Sequence, residues 1–416
     1  MARKPRRTTE ARPSQARSDA ERAAGSRTEL PQFKGRPGWE FTDISGLDLA
    51  AYEPLRSGDT DGRGEDWMPR SLFGLSAPDA LPHGVIVSTI DEALREHGEL
   101  VRRHLGSVVS ADDVFTMLGD SAEHRRGSFV YVPRGVEVEQ PISLRTIQAR
   151  AGTLLHQHTL IVLEEGAQAE VWEEYLSGSE DLDGVFNLVT ELVVSDAARL
   201  RYVCGQGLSE RSWIFGAQRA EVGRDGYLDW VALGFGSARG RVRMETRLGG
   251  QGAEARVTGA YASHARQHID FDTTQEHAAP NTTSDLAFRG VLQGRSSAVW
   301  KGNIIVDPGA QKTDAFQESR NLLLSKRAHA DAIPGLEIQA NDVRCTHAAA
   351  VAQVDPEQLF YLRSHGLREH SAKRLVIEGF LAALVERFEE GPVRDVLGAA
   401  LERRLGVILD ETGSVS

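Results

Sequence analysis

The sequence predicts a mainly β protein made of short stacked strands, with helical parts on either side. Three observations predict it. Residues 127–354 alternate apolar and polar side chains and are rich in β-branched residues, the signature of strands. Within that region, β-rich runs repeat around small-residue corners at Gly166, Ala197, Gly226 and Gly252, in steps of 31, 29 and 26 residues. Repeats of that length point to a solenoid, in which a coil buries its inner face only by stacking on its neighbour. At Asp355 the pattern changes to a helical one. The competing architecture, an antiparallel sandwich or barrel, needs many tight hairpin turns, and Asp225-Gly226 is the main one present.

Taken in order, residues 1–30 carry eight Arg/Lys and four Asp/Glu with no apolar run. They read as a disordered basic tail, not as a secretory signal or a membrane span. Residues 31–126 form an N-terminal region with short helices, in which Trp39 and Phe41 are expected as buried anchors. Residues 88–105 read as one helix, capped by Ser88 or Thr89, with Ile90, Leu94 and Val101 along its apolar stripe. Residues 111–119 read as a further short helix. The β core spans 127–354, with later corners expected at 293–297, 307–311, 325–330 and 344–348. A helical domain follows over 355–416. There Asp355 caps, Pro356 takes the first helical position, Gln358 sits where a capping box needs it, and Gly366 stops the helix. The second helix is expected over 367–389, with Leu375, Phe380, Leu381, Leu384 and Phe388 apolar, and the third ends near Leu405.

The net charge of -12 argues against a nucleic-acid binder with a basic face. The two cysteines, Cys204 and Cys345, lie far apart and form no CxxC pair, which excludes a zinc ribbon or a thioredoxin-type site and fits a reducing cytosol. No GxxxxGK[ST] loop is present, so the chain has no P-loop of its own for ATP.

The most specific constellation is Cys345-x-His347. Thiolate and imidazole are the donors that iron sites use, but two donors do not close a shell that needs about four. In a strand, residues two apart face the same side, so both could face one partner. Arg344 beside them is expected to favour the thiolate. Plain packing remains the alternative for Cys345, and Cys204, with no ligand neighbours, reads as core. His156-x-His158 has cupin-like spacing, but Glu164 is too distant and the Pro133–Gly135 turn comes too early. Alternating surface polar residues explain that pair. His264, His268 and His277, with Asp270, Asp272 and Glu276, read as a solvated face.

Three stretches carry a resemblance: KTDAFQESRNLLLS (312–325), PGLEIQANDVRCTHAAAVAQVDPEQLFYLRSHGL (334–367) and KRLVIEGFL (373–381). Together they resemble the SufB/SufD family of iron–sulfur cluster assembly proteins, on its SufD side. The resemblance implies a right-handed parallel β-helix flanked by N-terminal and C-terminal helical parts. It implies a cytoplasmic, non-catalytic scaffold subunit that pairs through its β-helix edge with a SufB-like subunit, or with a second copy in isolation. It implies a SufC-like ATPase held by the C-terminal helices, with Phe360, Tyr361, Leu362, Arg363 and Gly366 as the docking residues. His347 and Cys345 would then touch a transient iron–sulfur cluster shared with the partner subunit, no cofactor being tightly bound by this chain alone. Neither nucleic acid nor membrane is implied as a partner. The family commonly has Gly after the histidine, where this chain has Ala348, so a left-handed turn is disfavoured there. The residues alone leave one other class open: a cupin-like or β-solenoid enzyme acting on carbohydrate or small acids through a metal.

Overall fold

The structure, a computed structural model, describes residues 39–55, 70–76, 78, 80–110 and 126–410. The expected tail over 1–30 and the helix expected over 111–119 lie outside the described residues.

Two short strands come first, β1 (Glu53–Pro54) and β2 (Ile86–Thr89). The solenoid opens with β3 (Arg126–Val132), β4 (Ile142–Gln148), β5 (Thr153–Leu163), β6 (Gln168–Ser177) and β7 (Gly184–Val194). It continues with β8 (Arg199–Gly207), β9 (Trp213–Val222), β10 (Tyr227–Gly234), β11 (Arg239–Leu248) and β12 (Glu254–Ser263). The last six strands are β13 (His268–His277), β14 (Thr283–Leu292), β15 (Ser297–Val306), β16 (Thr313–Leu323), β17 (His329–Ile338) and β18 (Val343–Gln353).

From β3 onward the odd strands pair in parallel to make one sheet and the even strands make another, giving a solenoid of about eight turns. The architecture is therefore stacked coils, not a barrel or sandwich. Side chains alternate across each strand, so one set points between the sheets. That interior holds a run of aromatic contacts: Tyr175–Phe186 at 5.2 Å, Tyr202–Trp230 at 6.0 Å, Phe271–Phe288 at 5.4 Å and Phe288–Trp300 at 6.3 Å between centroids. Each such ring buried is worth roughly 1.5–3 kcal/mol. One carboxyl lies among them. Glu173 is fully buried and accepts hydrogen bonds from Thr159 Oγ1 and Tyr202 Oη, both at 2.6 Å. Burial pushes its pKa up.

The corners stack as well. Gly135, Gly166, Ala197, Asp225, Gly252, Asn281 and Lys312 are all left-handed. The Gly166 N–H donates to Asp196 O at 2.9 Å and the Ala197 N–H to Arg224 O at 2.7 Å, tying each corner to the next coil. The corner expected at Gly226 is centred on Asp225, with φ 55°. The corner expected at 344–348 is not a corner: those residues lie inside β18, and the bend is at 341–342.

The N-terminal region departs from expectation in two places. Trp39 is buried, but Phe41 is 39% exposed, because Thr42 takes the inward position and donates to Asp270 Oδ2 at 2.6 Å. The helix expected over 88–105 is two, α1 (Ile90–Glu96) and α2 (Gly98–His104), broken at His97. Thr89 caps α1 in a full capping box with Glu92.

The C-terminal helices are α3 (Pro356–Ser364), α4 (Glu369–Val385) and α5 (Pro392–Asp410). Asp355 caps α3 by accepting from the Glu357 N–H at 2.9 Å. Helix α4 stops short of 389, and α5 runs past Leu405. Ile377, Leu381, Leu384, Leu397 and Leu401 join Trp172, Val203, Val231 and Leu233 in one cluster on the outer face of the even sheet. Leu375, expected in that apolar set, is 50% exposed on the far side of α4.

Candidate functional site: the open end of the solenoid

Strands β17 and β18 are the last of their sheets, and each is paired along one edge only. In β16 the inward positions Ala315, Gln317, Ser319 and Asn321 are fully buried. Cys345, His347, Ala349 and Val351 stand directly over them in register. On β17, Leu336 and Ile338 stand over the buried Ile304 and Val306. These residues hold interior positions with no coil above them. Leu336 is consequently 36% exposed, and Ile338 and Val351 are each 43% exposed. An apolar inner face and two unpaired strand edges thus meet at one end of the molecule.

Cys345 and His347 share that inward-facing side of β18, so the structure does bring the two donors together. Cys345 is half-buried beside Ile304, Val306, Ala310 and Ala315. Burial pushes its thiol pKa up, and the charge of Asp314 adds to the rise. Arg344 does not favour the thiolate as expected. It is one residue out of phase, on the opposite side of the strand, where its guanidinium grips Asp314, with Nε at 3.1 Å from Oδ1. His347 is exposed, over the buried amide of Gln317. Gln317 Nε2 donates to Gly335 O at 3.1 Å and Gly302 O at 3.3 Å, knitting the last two coils of the odd sheet from within. Ala348 lies in the strand and is not left-handed, so this chain needs no glycine there. Among the described residues, no three His, Cys, Asp or Glu side chains are placed to hold a metal ion. The end of the solenoid offers two donors, an incomplete set.

Four of the five expected docking residues lie on α3, none of whose residues is buried, and the fifth, Gly366, follows it. Phe360 is 74% and Tyr361 61% exposed. Leu362 is half-buried, Arg363 lies 3.7 Å from Glu369, and Gly366 closes the helix in the left-handed region at φ 92°. Leu367 and Leu375, after it in the chain, are exposed as well.

The remaining candidates resolve into structure. His156 and His158 are not surface residues: His156 is buried against Asn187 (3.1 Å), and His158 Nε2 is 2.8 Å from the buried Glu191. The 264–277 cluster is not a solvated face. Asp270 and Asp272 are buried and clamp Arg241, with Oδ2 of Asp270 at 3.0 Å. His277 is buried between Thr282 and Ser284, and burial holds its pKa down at about 4. Cys204 is core: its thiol donates to Val231 O at 3.4 Å and is pushed up to about 12 by burial. Sequence reasoning missed Leu336, Ile338 and Val351 as exposed apolar residues, since they alternate just as inner coils do.

Comparison with known proteins follows the same lines. Residues 145–380 match the profile described as "SUF system FeS cluster assembly, SufBD core domain", and residues 72–144 match "SufBD protein N-terminal region". The chain is 34% identical over 325 residues to the iron–sulfur cluster assembly protein SufD of Bacillus subtilis, covering 77% of this chain and 74% of that protein. It is 32% identical over 361 residues to the SufBD family protein Rv1462 of Mycobacterium tuberculosis, covering 83% and 89%. With the SufBD family protein ML0594 of Mycobacterium leprae the identity is 29% over 391 residues, covering 88% and 98%. Among the described residues no helix is long and apolar enough to cross a membrane.

Proposed function

The chain belongs to the SufBD family of SUF-system iron–sulfur cluster assembly proteins, and from that premise we propose that it is a SufD-like, non-catalytic scaffold subunit of the cytoplasm. Its open end pairs with the matching end of a SufB-like subunit, and its C-terminal helices dock a SufC-like ATPase. A second copy takes the partner's place when the chain is alone.

One observation carries this reading: the last coil exposes Leu336, Ile338 and Val351 from interior positions on two unpaired edges, with His347 among them. Exposed, flat, apolar edges invite pairing with another chain, and natural proteins usually blunt them. This one is kept open. A partner strand would satisfy the free backbone groups, cover the apolar side chains and add the missing donors in one step. The nascent cluster is cargo here. His347 and Cys345 supply part of its coordination and the partner supplies the rest, so neither chain alone holds it tightly. The exposed Phe360 and Tyr361 support the ATPase-docking role, because aromatic side chains dominate binding when covered.

Co-expression with SufB-like and SufC-like chains tests the reading. The three are expected to co-elute, with iron and sulfide found only in the complex. His347→Ala is expected to leave the complex intact but lower its iron and sulfide content several-fold. Phe360→Asp with Tyr361→Asp should release the ATPase and keep the SufB-like chain. A complex of wild-type composition and normal cluster content in the His347→Ala variant would remove His347 from the site.

A further inference from the structure

The two corner rows of the solenoid differ in charge. Where odd strands pass to even ones, exposed cations pair with acids on the neighbouring coil, as in Arg134–Glu165 (2.8 Å) and Arg224–Asp196 (3.1 Å). Where even strands return to odd ones, the first corner holds Arg150, paired with Glu53 at 3.0 Å, and the next is acidic, with Glu180, Asp181 and Asp183 before β7. The row ends basic. The Arg295 N–H donates to Ala265 O at 2.8 Å, and Ser325 Oγ donates to Gly294 O at 2.6 Å, so these turns lie directly over one another. Arg266, Arg295 and Lys326 each follow at the next position, with Arg327 beside Lys326. All four are exposed, and none forms an ion pair among the described residues.

Neighbouring coils are about 4.8 Å apart, so the four cations fall within roughly 10–15 Å along the corner. Like charges stacked in register destabilise one another. The chain has 60 Asp/Glu against 48 Lys/Arg, so acids to neutralise the row are not scarce. The opposite corner uses them that way, and so do Arg150 with Glu53 and Arg211 with Asp183 lower in this row, which sets the four later cations apart. We propose that Arg266, Arg295, Lys326 and Arg327 form a docking strip for an extended, acidic segment of another protein. In an extended peptide, alternate side chains repeat at about 6.6–6.8 Å, so two or three carboxylates span the strip. Four phosphate contacts would give only weak, salt-sensitive nucleic-acid binding, and a single row with no apolar anchor is a poor membrane surface. The strip ends in the last coil, beside β17. An acidic segment held there lies next to the open end whichever chain closes it, so the proposal stands independently of the SufD-like reading.

The test uses the full chain and a fluorescent peptide of alternating Glu and Ser, followed by anisotropy at low and physiological salt. The peptide is expected to bind with an affinity that falls as salt rises. The triple variant R266E/R295E/K326E should weaken binding by about tenfold or more, while R134E/R224E on the opposite corner should not. Thermal melts check folding, and R266Q/R295Q/K326Q takes over if the reversals do not fold. Absence of binding at low salt would overturn the proposal. So would equal binding by the strip variant, or tighter binding of an oligonucleotide of equal charge or of phosphatidylserine vesicles.

Discussion

The odd-numbered sheet meets its two margins in opposite ways. At the first, β2 lies antiparallel along β3, with Val87 packed on the interior. Beside it, α1 and α2 bury Ile90, Ala93 and Val101 against Phe129, Leu160 and Val162. At the second, β17 has no strand beyond it, and Leu336 and Ile338 face solvent from positions that would be interior in any other coil. The chain can finish a margin with its own residues, and at one end it does. Leaving the other unfinished is therefore not a limit of the fold but a distribution of stability: one end is closed by folding, and the proposed pairing would close the other.

The largest effect should come from breaking the closed margin. Phe129→Ala removes a fully buried ring and is expected to cost about 3–5 kcal/mol, read as a lowered denaturation midpoint. Ile338→Ala with Val351→Ala at the open end should change the isolated chain's stability by less than about 0.5 kcal/mol per site, yet abolish co-elution with the partner. Equal destabilisation at the two ends would erase the distinction.

Between the ends, Glu173 sharpens the contrast, because no solvent reaches it. Its folded pKa is raised, so its contribution is fully present below the unfolded carboxyl value and is lost as pH rises toward the folded value. Glu173→Gln keeps a hydrogen-bond acceptor without the ionisation. It should be more stable than wild type in mildly alkaline buffer, where the unfolded chain's carboxyl ionises and the buried one resists doing so. The difference should vanish near pH 4. Identical pH–stability profiles for the two proteins would refute the assignment.

Smaller gains are expected at the corners. Ala197 and Lys312 are left-handed at φ 55° and 61°, where a Cβ is disfavoured. Ala197→Gly and Lys312→Gly should each stabilise by about 0.5–1 kcal/mol in chemical denaturation. Smallest of all is His347→Ala, whose melting temperature should match wild type, since an exposed imidazole at the open end supports no packing.

What the sequence made legible follows from how local each signal is. Gly166, Ala197 and Gly252 mark corners because small residues tolerate the backbone a tight turn imposes, and that is visible within a few residues. Asp355-Pro356 and Gly366 delimit α3 for similar reasons. Residues 344–348 looked like a corner because Arg344, Thr346 and His347 are polar. Arg344 and Thr346 point outward, where any strand is ordinarily polar, and His347 is polar on the inner side because the last coil is exposed there, a property of position in the stack that no local pattern carries. Phe41 and the Asp270–Asp272 pair were misjudged for a related reason. Thr42 and Arg241, which satisfy those carboxylates, come from other segments, more than 200 residues away in the case of Thr42. The open end itself was visible only as an expectation from family resemblance, since Leu336, Ile338 and Val351 alternate as faithfully as their buried counterparts below.

The unbroken registration of strand upon strand also limits how such a molecule can change its dimensions. Inserting one residue inside a strand would invert every later side chain in that strand, and the fault would face correct neighbours above and below. Growth is tolerated only as a whole rung, corner included, which would carry the terminal histidine outward by about 4.8 Å without disturbing what lies beneath. Evolution can therefore set the reach of this arm only in discrete notches, and under the proposed pairing the partner would have to match them rung for rung.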